Sequence, residues 1–260
     1  MKCAVSDFDR TLYVEGRVSE RNIRAVRQWQ RDGNLFFIAT GRNRASIEEQ
    51  LEPFGLKPDG LILNNGAAIT DREGMLLFCR TIEKDTALEI LRFLHGLDGD
   101  GSGVSMIDRK INVLSALGTT TQKPCDGVCT IDQAKGLEAI LQIHRRNKDE
   151  AYIRSLCGEI RKRFSRVNAF PNVWNADIVA EGVDKAAAVH WILNRRPDIE
   201  EIRVMGDSAN DTGMLREFHG AAPVWASEEV RREAAGVLHD VAELLSDSCP
   251  AEVRFDFRKK

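Results

Sequence analysis

Short apolar runs alternate with stretches of helical periodicity in the first part of the chain. Cys3–Val5 is apolar and predicts a strand, and Leu35–Ala39 predicts a second one. Between them, apolar residues recur at helical spacing from Ser19, a candidate N-cap, to Gly33, which can end a helix. This strand, helix, strand order is typical of a parallel sheet.

The same alternation continues and returns near the end of the chain. A second helical stretch ends at Gly55, and Leu61–Leu63 predicts a third strand. Much later, Asp184 can cap another helix, which is followed by the predicted strand Ile202–Met205. The predicted fold class is therefore α/β, with a doubly wound, Rossmann-like parallel-sheet core assembled from both ends of the chain.

The middle of the chain has a different pattern. Helices are predicted around Ala87–Leu94 and from Asp149 to Phe164. Predicted strands lie at Val104–Ile107, Ile111–Leu114 and Ala139–Ile143, and near Val167 and Ile178. We therefore predict a catalytic core of residues 1–82 and 179–260, with residues 83–178 inserted into it as an α+β domain.

Composition narrows the class of protein. The 260 residues are 43% hydrophobic, and 37 basic against 40 acidic residues are scattered along the chain, for a net charge of −3. No basic stripe indicates nucleic acid as a partner. No apolar run reaches the ~20 residues needed to cross a bilayer, and no signal peptide precedes the first strand. Six scattered cysteines are expected to be reduced, so we predict a cytoplasmic protein without nucleic-acid or membrane partners.

Two carboxylates follow the first predicted strand, at Asp7 and Asp9. The carboxyl end of a parallel strand opens into the crevice where such sheets bind ligands. With an ordinary pKa of ~3.9, Asp7 is ionised at neutral pH and could attack phosphorus once a metal neutralises the phosphate. Asp9 could protonate the leaving alcohol and then activate water. Taken alone, the pair is also typical of a solvated turn.

Three further polar groups stand at strand ends or helix starts. Thr40 and Gly41 follow the second strand, where a hydroxyl and backbone N–H groups can hold a phosphoryl oxygen. Lys185 opens a helix and offers a cation to the same phosphate. The cluster Gly206–Asp211 follows a late strand, and Asp207 together with Asp7 could provide the carboxylate oxygens that Mg²⁺ prefers.

In order and spacing, these four segments resemble the four motifs of the haloacid dehalogenase (HAD) superfamily. The long insert and the Asn65–Ala67 loop resemble its Cof-type branch, whose members carry an α/β cap (type IIB) over the active site. The resemblance implies an aspartyl phosphate on Asp7 and general acid and base catalysis by Asp9.

The resemblance also implies the binding residues. Thr40, Gly41, Lys185 and Asn210 would contact the phosphate. Mg²⁺ would lie on the side chain of Asp7, the backbone carbonyl of Asp9 and Asp207, while Asp211 would lie near the metal or near Lys185. Two departures from the family pattern are Arg10, where Gly is usual after Asp9, and the segment 221–226, which lacks the usual Met-Gly-Asn run.

Other signals are interpreted as structural. The segment Asp98–Gly103 resembles the start of a calcium loop, but Arg109 occupies the position that needs a glutamate. Cys125 and Cys129 lack a second pair at zinc spacing. We predict that His144–Arg146 is a solvated basic strand end and that Trp174 is a packing residue.

We therefore predict a Mg²⁺-dependent phosphatase acting on a small phosphate monoester, such as a sugar phosphate or a related metabolite. A phosphomutase with the same phosphoenzyme would have the same motifs. A non-catalytic metabolite-binding protein on this fold is a second alternative, against which the joint presence of Asp7, Asp9, Lys185 and Asp207 argues. A dinucleotide oxidoreductase is disfavoured because no Gly-x-Gly-x-x-Gly follows the first strand.

Overall fold

A computed structural model describes residues 1–97, 101–118 and 126–257. Residues 98–100 of the calcium-like segment, and Cys125, lie outside these residues. The helices are α1 (Glu20–Arg31), α2 (Arg44–Leu51), α3 (Lys84–His95), α4 (Glu150–Arg163), α5 (Lys185–Arg195), α6 (Thr212–Glu217), α7 (Glu228–Glu233) and α8 (Val241–Leu245). None of these helices, which come from the described ranges only, is long and apolar enough to cross a membrane.

The strands fall into two sheets and a separate hairpin. In chain order they are β1 (Lys2–Asp7), β2 (Tyr13–Val14), β3 (Arg17–Val18), β4 (Leu35–Ala39), β5 (Gly60–Leu63), β6 (Ala68–Asp71), β7 (Leu76–Cys79), β8 (Ser102–Ser105), β9 (Lys110–Val113), β10 (Gly127–Cys129), β11 (Gln142–Arg146), β12 (Val167–Asn172), β13 (Asn175–Ala180), β14 (Glu201–Met205), β15 (Ala221–Pro223), β16 (Gly236–Leu238) and β17 (Phe255–Asp256).

The larger sheet has the order β16-β15-β14-β1-β4-β5-β6-β7, and β17 also pairs with β14. From β16 to β5 the neighbouring strands are parallel, whereas β6 and β7 extend one edge as an antiparallel hairpin. The sheet therefore has a parallel centre, with β1 in the middle and β4 and β14 on either side of it.

Successive residues of β1 are buried on opposite faces of the larger sheet. Ala4 packs in a cluster with Val26 and Trp29 of α1, whereas Cys3 and Val5 pack in a second cluster with Val189 of α5. Helices cover both faces, so β1 and β4 are buried along almost their whole length, as expected for the centre of a parallel sheet. The predicted doubly wound α/β fold class is confirmed.

The smaller sheet has the order β10-β9-β8-β11-β13-β12 and is antiparallel except for the β9–β10 pair. Its strands lie between residues 102 and 180, close to the predicted insert, whose limits at 83 and 178 stay a prediction. The predicted strand Ala139–Ile143 is wrong by three residues, because Ala139 has a left-handed backbone (φ 51°) and the strand begins only at Gln142.

Candidate active site

The predicted site residues lie where the central parallel strands of the larger sheet end. Asp7 is the last residue of β1, Thr40 directly follows β4, and Asp207 lies two residues after β14. Because β1 pairs in parallel with both neighbours, these three ends meet at one edge of the sheet. Lys185, the first residue of α5, is directed at the same place.

Lys185 lies at the centre of the site and is 1% exposed. Its Nζ donates to Oδ1 of Asp7 at 2.6 Å and to Oδ1 of Asp211 at 2.7 Å. Burial alone would lower the pKa of this ammonium group, but the two carboxylates outweigh burial and raise the pKa above its ordinary value. Lys185 is therefore a permanent cation held between two buried acids.

The start of α5 is fixed by its cap and by the loop after β5. The Asp184 side chain accepts a hydrogen bond from the Ala187 amide at 2.7 Å. Gly66 packs directly against this residue, and a Cβ there would lie 2.2 Å from the Asp184 carbonyl oxygen. The positive φ of Gly66 (102°) also disfavours other residues, so glycine is required for this close approach.

Asp207 and Asp211 are held by several donors. Asp211 Oδ2 accepts from the backbone amides of Asp207 and Ser208 at 3.1 and 3.0 Å. The hydroxyls of Thr11 and Ser208 donate to Asp207 at 3.1 and 3.0 Å, and Arg10 Nη2 lies 2.6 Å from its Oδ2. One carboxylate oxygen from each of Asp7, Asp207 and Asp211 lies within 4.8 Å of the others.

Three buried carboxylates in this small volume affect one another. Burial is the largest cause that raises the pKa of Asp7 well above its ordinary value; Lys185 opposes this rise, while Asp211 and Asp207 add to it. Burial and Asp211 likewise raise the pKa of Asp207, against the opposing charge of Arg10. The three carboxylates face two cations, Lys185 and Arg10. The site therefore has an excess of negative charge that a further cation would neutralise.

Asp9 projects away from this cluster and pairs with Arg42. The guanidinium donates through Nε and Nη2 to both oxygens of Asp9, at 2.8 and 2.7 Å, and through Nη1 to Ser46 at 3.1 Å. Such a bidentate pair fixes the orientation of a carboxylate. The sequence contained Arg42 within a recognised motif, but nothing in the motif indicated that it would hold Asp9.

The other predicted phosphate ligands surround Asp7. Thr40 is 1% exposed, and its Oγ1 accepts from the Arg42 amide at 3.1 Å. Gly41 and Asn210 line a cavity of about 290 Å³, together with Asp7 and Asp9. The cavity is bounded by the larger sheet on one side and the smaller sheet on the other. Thr40 and Lys185 are buried and are not among the residues that line this cavity.

Asn65 links the two sheets at the edge of the cavity. Its Oδ1 accepts from Asn210 at 2.9 Å, and its Nδ2 donates to Gln142 of β11 at 3.0 Å and to Asp177 of β13 at 3.1 Å. Gln142 in turn donates to the Gly41 carbonyl oxygen at 3.4 Å. The sequence analysis missed Gln142 and Asp177. The pattern around a polar residue in a strand does not indicate which residue of another segment it will contact.

The prediction that His144–Arg146 is a solvated strand end is wrong. His144 and Arg145 are 6% and 2% exposed, because β11 is an interior strand of the smaller sheet. His144 lies opposite Gly103, where a Cβ would be 1.9 Å from its Nε2 and only glycine leaves room for the ring. His144 and Arg146 line the cavity.

The prediction that Trp174 is a packing residue is also wrong. Its side chain is 42% exposed and lines the cavity, with the Arg146 guanidinium 5.3 Å from its ring centre.

The two departures from the family pattern, Arg10 and the segment 221–226, contact each other, since Trp225 Nε1 donates to the Arg10 carbonyl oxygen at 2.7 Å. Arg10 has φ 66°, a conformation that explains why Gly is usual at this position.

Comparison with known proteins agrees with this fold. The chain belongs to the haloacid dehalogenase-like hydrolases, whose family model matches residues 4–243. It is 41% identical to the phosphatase YwpJ of Bacillus subtilis over 96 residues, which are 36% of this chain and 33% of that protein. A haloacid dehalogenase-like hydrolase from B. subtilis has a similar structure, with a TM-score of 0.81 and 23% identity over 94% of this chain and 99% of that one.

A second solved structure narrows the structural class. A sugar phosphatase of HAD subclass IIB matches with a TM-score of 0.75 and 22% identity, over 91% of this chain and 93% of that one. The predicted membership of the HAD superfamily with a Cof-type, IIB architecture is confirmed, and so is the predicted enzyme class of phosphoric monoester hydrolases.

Proposed function

We propose that this protein hydrolyses a small phosphate monoester, such as a sugar phosphate or a related metabolite, through an aspartyl phosphate on Asp7. The observation that carries the proposal is the position of Asp7, which lines the cavity with one oxygen held 2.6 Å from the buried Lys185 ammonium. A carboxylate beside a fixed cation in a closed site is a suitable nucleophile for a phosphoryl group.

The first step forms one bond and breaks another at phosphorus. An Asp7 oxygen attacks, the bond to the ester oxygen breaks, and Asp9 gives its proton to the leaving alcohol. Water then attacks the aspartyl phosphate, its proton passes to Asp9, and Asp7 is released with inorganic phosphate. Arg42 would keep the Asp9 carboxylate at the cavity while the protein is at rest.

The phosphoryl group would be bound by residues already in place. Lys185, Thr40, the backbone at Gly41 and the Asn210 side chain lie around Asp7. The Asn210 amide donates one hydrogen bond to Asn65 Oδ1 at 2.9 Å, and its second N–H is available to a phosphoryl oxygen. Groups that are fixed before reaction stabilise the charge on the phosphoryl oxygens most effectively.

The donor set fits Mg²⁺. Asp7 and Asp207 supply hard carboxylate oxygens, and the excess negative charge of the cluster favours a divalent cation. When bound, Mg²⁺ would neutralise charge on the phosphate. We place Asp7, Asp207 and the Asp9 carbonyl in the metal set. Asp211, predicted near the metal or near Lys185, has both oxygens engaged by Lys185 and by backbone amides, which supports a positioning role.

Hydrolysis of an aryl phosphate and of several sugar phosphates tests the proposal. We expect phosphate release with Mg²⁺ and none with excess chelator, measured as inorganic phosphate. Analysis of the products with a sugar bisphosphate present separates hydrolysis from the mutase alternative, in which phosphate returns to the sugar. Absence of any phosphoryl transfer by folded, Mg²⁺-loaded protein would instead favour the metabolite-binding alternative. The cytoplasmic location, without nucleic-acid or membrane partners, is part of the same proposal.

Arg10 should compete with the metal for Asp207. Its guanidinium lies 2.6 Å from Asp207 Oδ2, and its backbone is anchored by Trp225. We expect Arg10→Gln to bind Mg²⁺ about tenfold more tightly, as measured by calorimetry without substrate, because a competing charge-assisted contact is removed. Arg21→Gln, which breaks an exposed pair with Asp240 elsewhere, is the control. Equal or weaker Mg²⁺ binding by Arg10→Gln would contradict this competition.

A further inference from the structure

The wall of the cavity formed by the smaller sheet has its own charged groups. Lys110 of β9 and Arg146 of β11 line it, together with Trp174 from the turn between β12 and β13. These residues are far from the sequence motifs of the family and come from three separate segments. The wall faces Asp7 across a cavity of about 290 Å³, near the lower limit of the ~300–1,000 Å³ usual for small-molecule sites. A small metabolite would therefore touch both sides at once.

Arg146 differs from the other arginines of the cavity. Arg10 and Arg42 are paired with Asp207 and Asp9. Within residues 1–97, 101–118 and 126–257, Arg146 has no carboxylate partner, and its guanidinium lies over the Trp174 ring at 5.3 Å. An aromatic ring orients a guanidinium and leaves its N–H donors available to a ligand. The stack thus presents a fixed, uncompensated cation to the cavity.

Among the described residues that line this wall, Lys110, His144 and Asp177 are the titratable neighbours of Arg146. His144 is buried beneath it, and burial, followed by the charges of Lys110 and Arg146, lowers its pKa to about 3, so that it is neutral. Asp177 is the acid of this wall, and its Oδ2 already accepts hydrogen bonds from Asn65 and Asn172 at 3.1 Å each. No carboxylate of the described lining pairs with the Arg146 guanidinium, which therefore faces the cavity as a cation.

We propose that the substrate carries a second acidic group, a carboxylate or a second phosphate, and that Arg146, oriented by Trp174 and assisted by Lys110, binds that group. This inference rests on the proposed phosphatase function. The scissile phosphate lies at Asp7 and the second anion at the opposite wall, so Arg146 selects the substrate without taking part in the chemical step. Neutral sugar phosphates would leave the Arg146 charge facing the cavity unpaired.

Kinetics of Arg146→Gln with matched substrates test the inference. The substrates are a sugar bisphosphate, a phosphorylated sugar acid, the neutral sugar monophosphate of the same size, and an aryl phosphate. The wild-type protein should have a kcat/KM at least about tenfold higher for one of the two acidic substrates than for the neutral sugar phosphate. Which acidic substrate is preferred identifies the second group as carboxylate or phosphate.

Arg146→Gln should lower kcat/KM for the preferred acidic substrate about 10- to 100-fold, mainly through KM, because the lost contact is equally present in ground and transition states. Aryl phosphate hydrolysis should change less than about twofold. Arg146→Lys, which keeps the charge, should retain part of the preference. The control is Arg195→Gln, since Arg195 stacks on Trp191 at 3.8 Å outside the cavity.

The outcomes distinguish this inference from the proposed function. Hydrolysis without preference for either acidic substrate would overturn the inference and leave the phosphatase proposal intact. An equal loss with aryl phosphate and with the acidic substrate in Arg146→Gln would also overturn it, because Arg146 would then act on the common phosphoryl chemistry. No hydrolysis of any ester by the wild-type protein would overturn both.

Discussion

Asp7→Asn should abolish phosphate release, with a loss of at least about 10⁴-fold in kcat for every ester, because the amide cannot form the aspartyl phosphate. The change keeps the size of the side chain, and the Lys185 ammonium retains Asp211 as a partner at 2.7 Å. The variant should therefore remain folded. Phosphate release and thermal unfolding, measured on the same preparation, check both expectations.

Asp132→Asn is the matched control for this change. Asp132 is an exposed acid of the inserted segment, paired with Lys135 at 2.7 Å and far from the cavity. Asp132→Asn should therefore leave turnover unchanged. If Asp7→Asn kept more than a few per cent of the wild-type rate, Asp7 could not be the nucleophile. An equal loss in Asp132→Asn would show that the effect of Asp7→Asn is not specific to Asp7. Mass spectrometry after acid quench of the wild-type protein with substrate should detect phosphate on Asp7 only.

Lys185→Met should destabilise the fold by about 3–5 kcal/mol and abolish activity, because it leaves two carboxylates buried without their common cation. Lys185 is 1% exposed and contacts both Asp7 and Asp211. Denaturant unfolding gives the loss of stability, which should be far larger than that of Lys135→Met. The latter removes only an exposed ion pair with Asp132, which water and salt screen strongly.

The stability loss of Lys185→Met should depend on pH in a defined direction. Burial raises the pKa of Asp7, and Lys185 is the group that opposes this rise, so its removal raises the pKa further. A carboxyl group with a raised pKa in the folded state binds more protons there than in the unfolded state, and its destabilising effect falls as pH decreases. The difference from wild type should therefore shrink between pH 7 and pH 4.

A double variant separates stability from catalysis at this site. Lys185→Met/Asp211→Asn removes one of the two unpaired acids and should recover part of the lost stability while remaining inactive. If Lys185→Met were as stable as wild type at pH 7, or if its deficit grew at lower pH, the three side chains could not form the buried charge cluster described here.

Local signals predicted the central elements of the fold well. Helix α1 begins after Ser19, whose side chain accepts from the Asn22 amide at 3.1 Å, and β4 has the predicted bounds Leu35–Ala39. These elements are fixed by caps and by apolar positions that repeat along the sequence. The predicted strand ends also indicated which residues lie together at the candidate site, because parallel strands place their carboxyl ends at one edge of the sheet.

Long-range neighbours were not predictable in the same way. The hairpin of β6 and β7 was missed, because its outer strand has exposed apolar residues such as Leu76 and Leu77 and lacks a period of two. The shift of β11 depends on the left-handed backbone of Ala139, and the burial of His144 depends on Gly103 in a different strand. A single sequence does not indicate which small residue will face which large one.

The hydrogen bonds of Asn65 should slow the exchange of ligands at the cavity. Any motion that separates the two sheets must break its bonds to Gln142 and Asp177 and the bond from Gln142 to Gly41. At roughly 1 kcal/mol net for each bond, these three bonds alone would lower the population of the separated form about 100-fold. A product that leaves only through that form would have its escape slowed by the same factor. The loop after β5 would then lengthen the time that each product molecule stays bound, because its hydrogen bonds oppose separation of the two sheets.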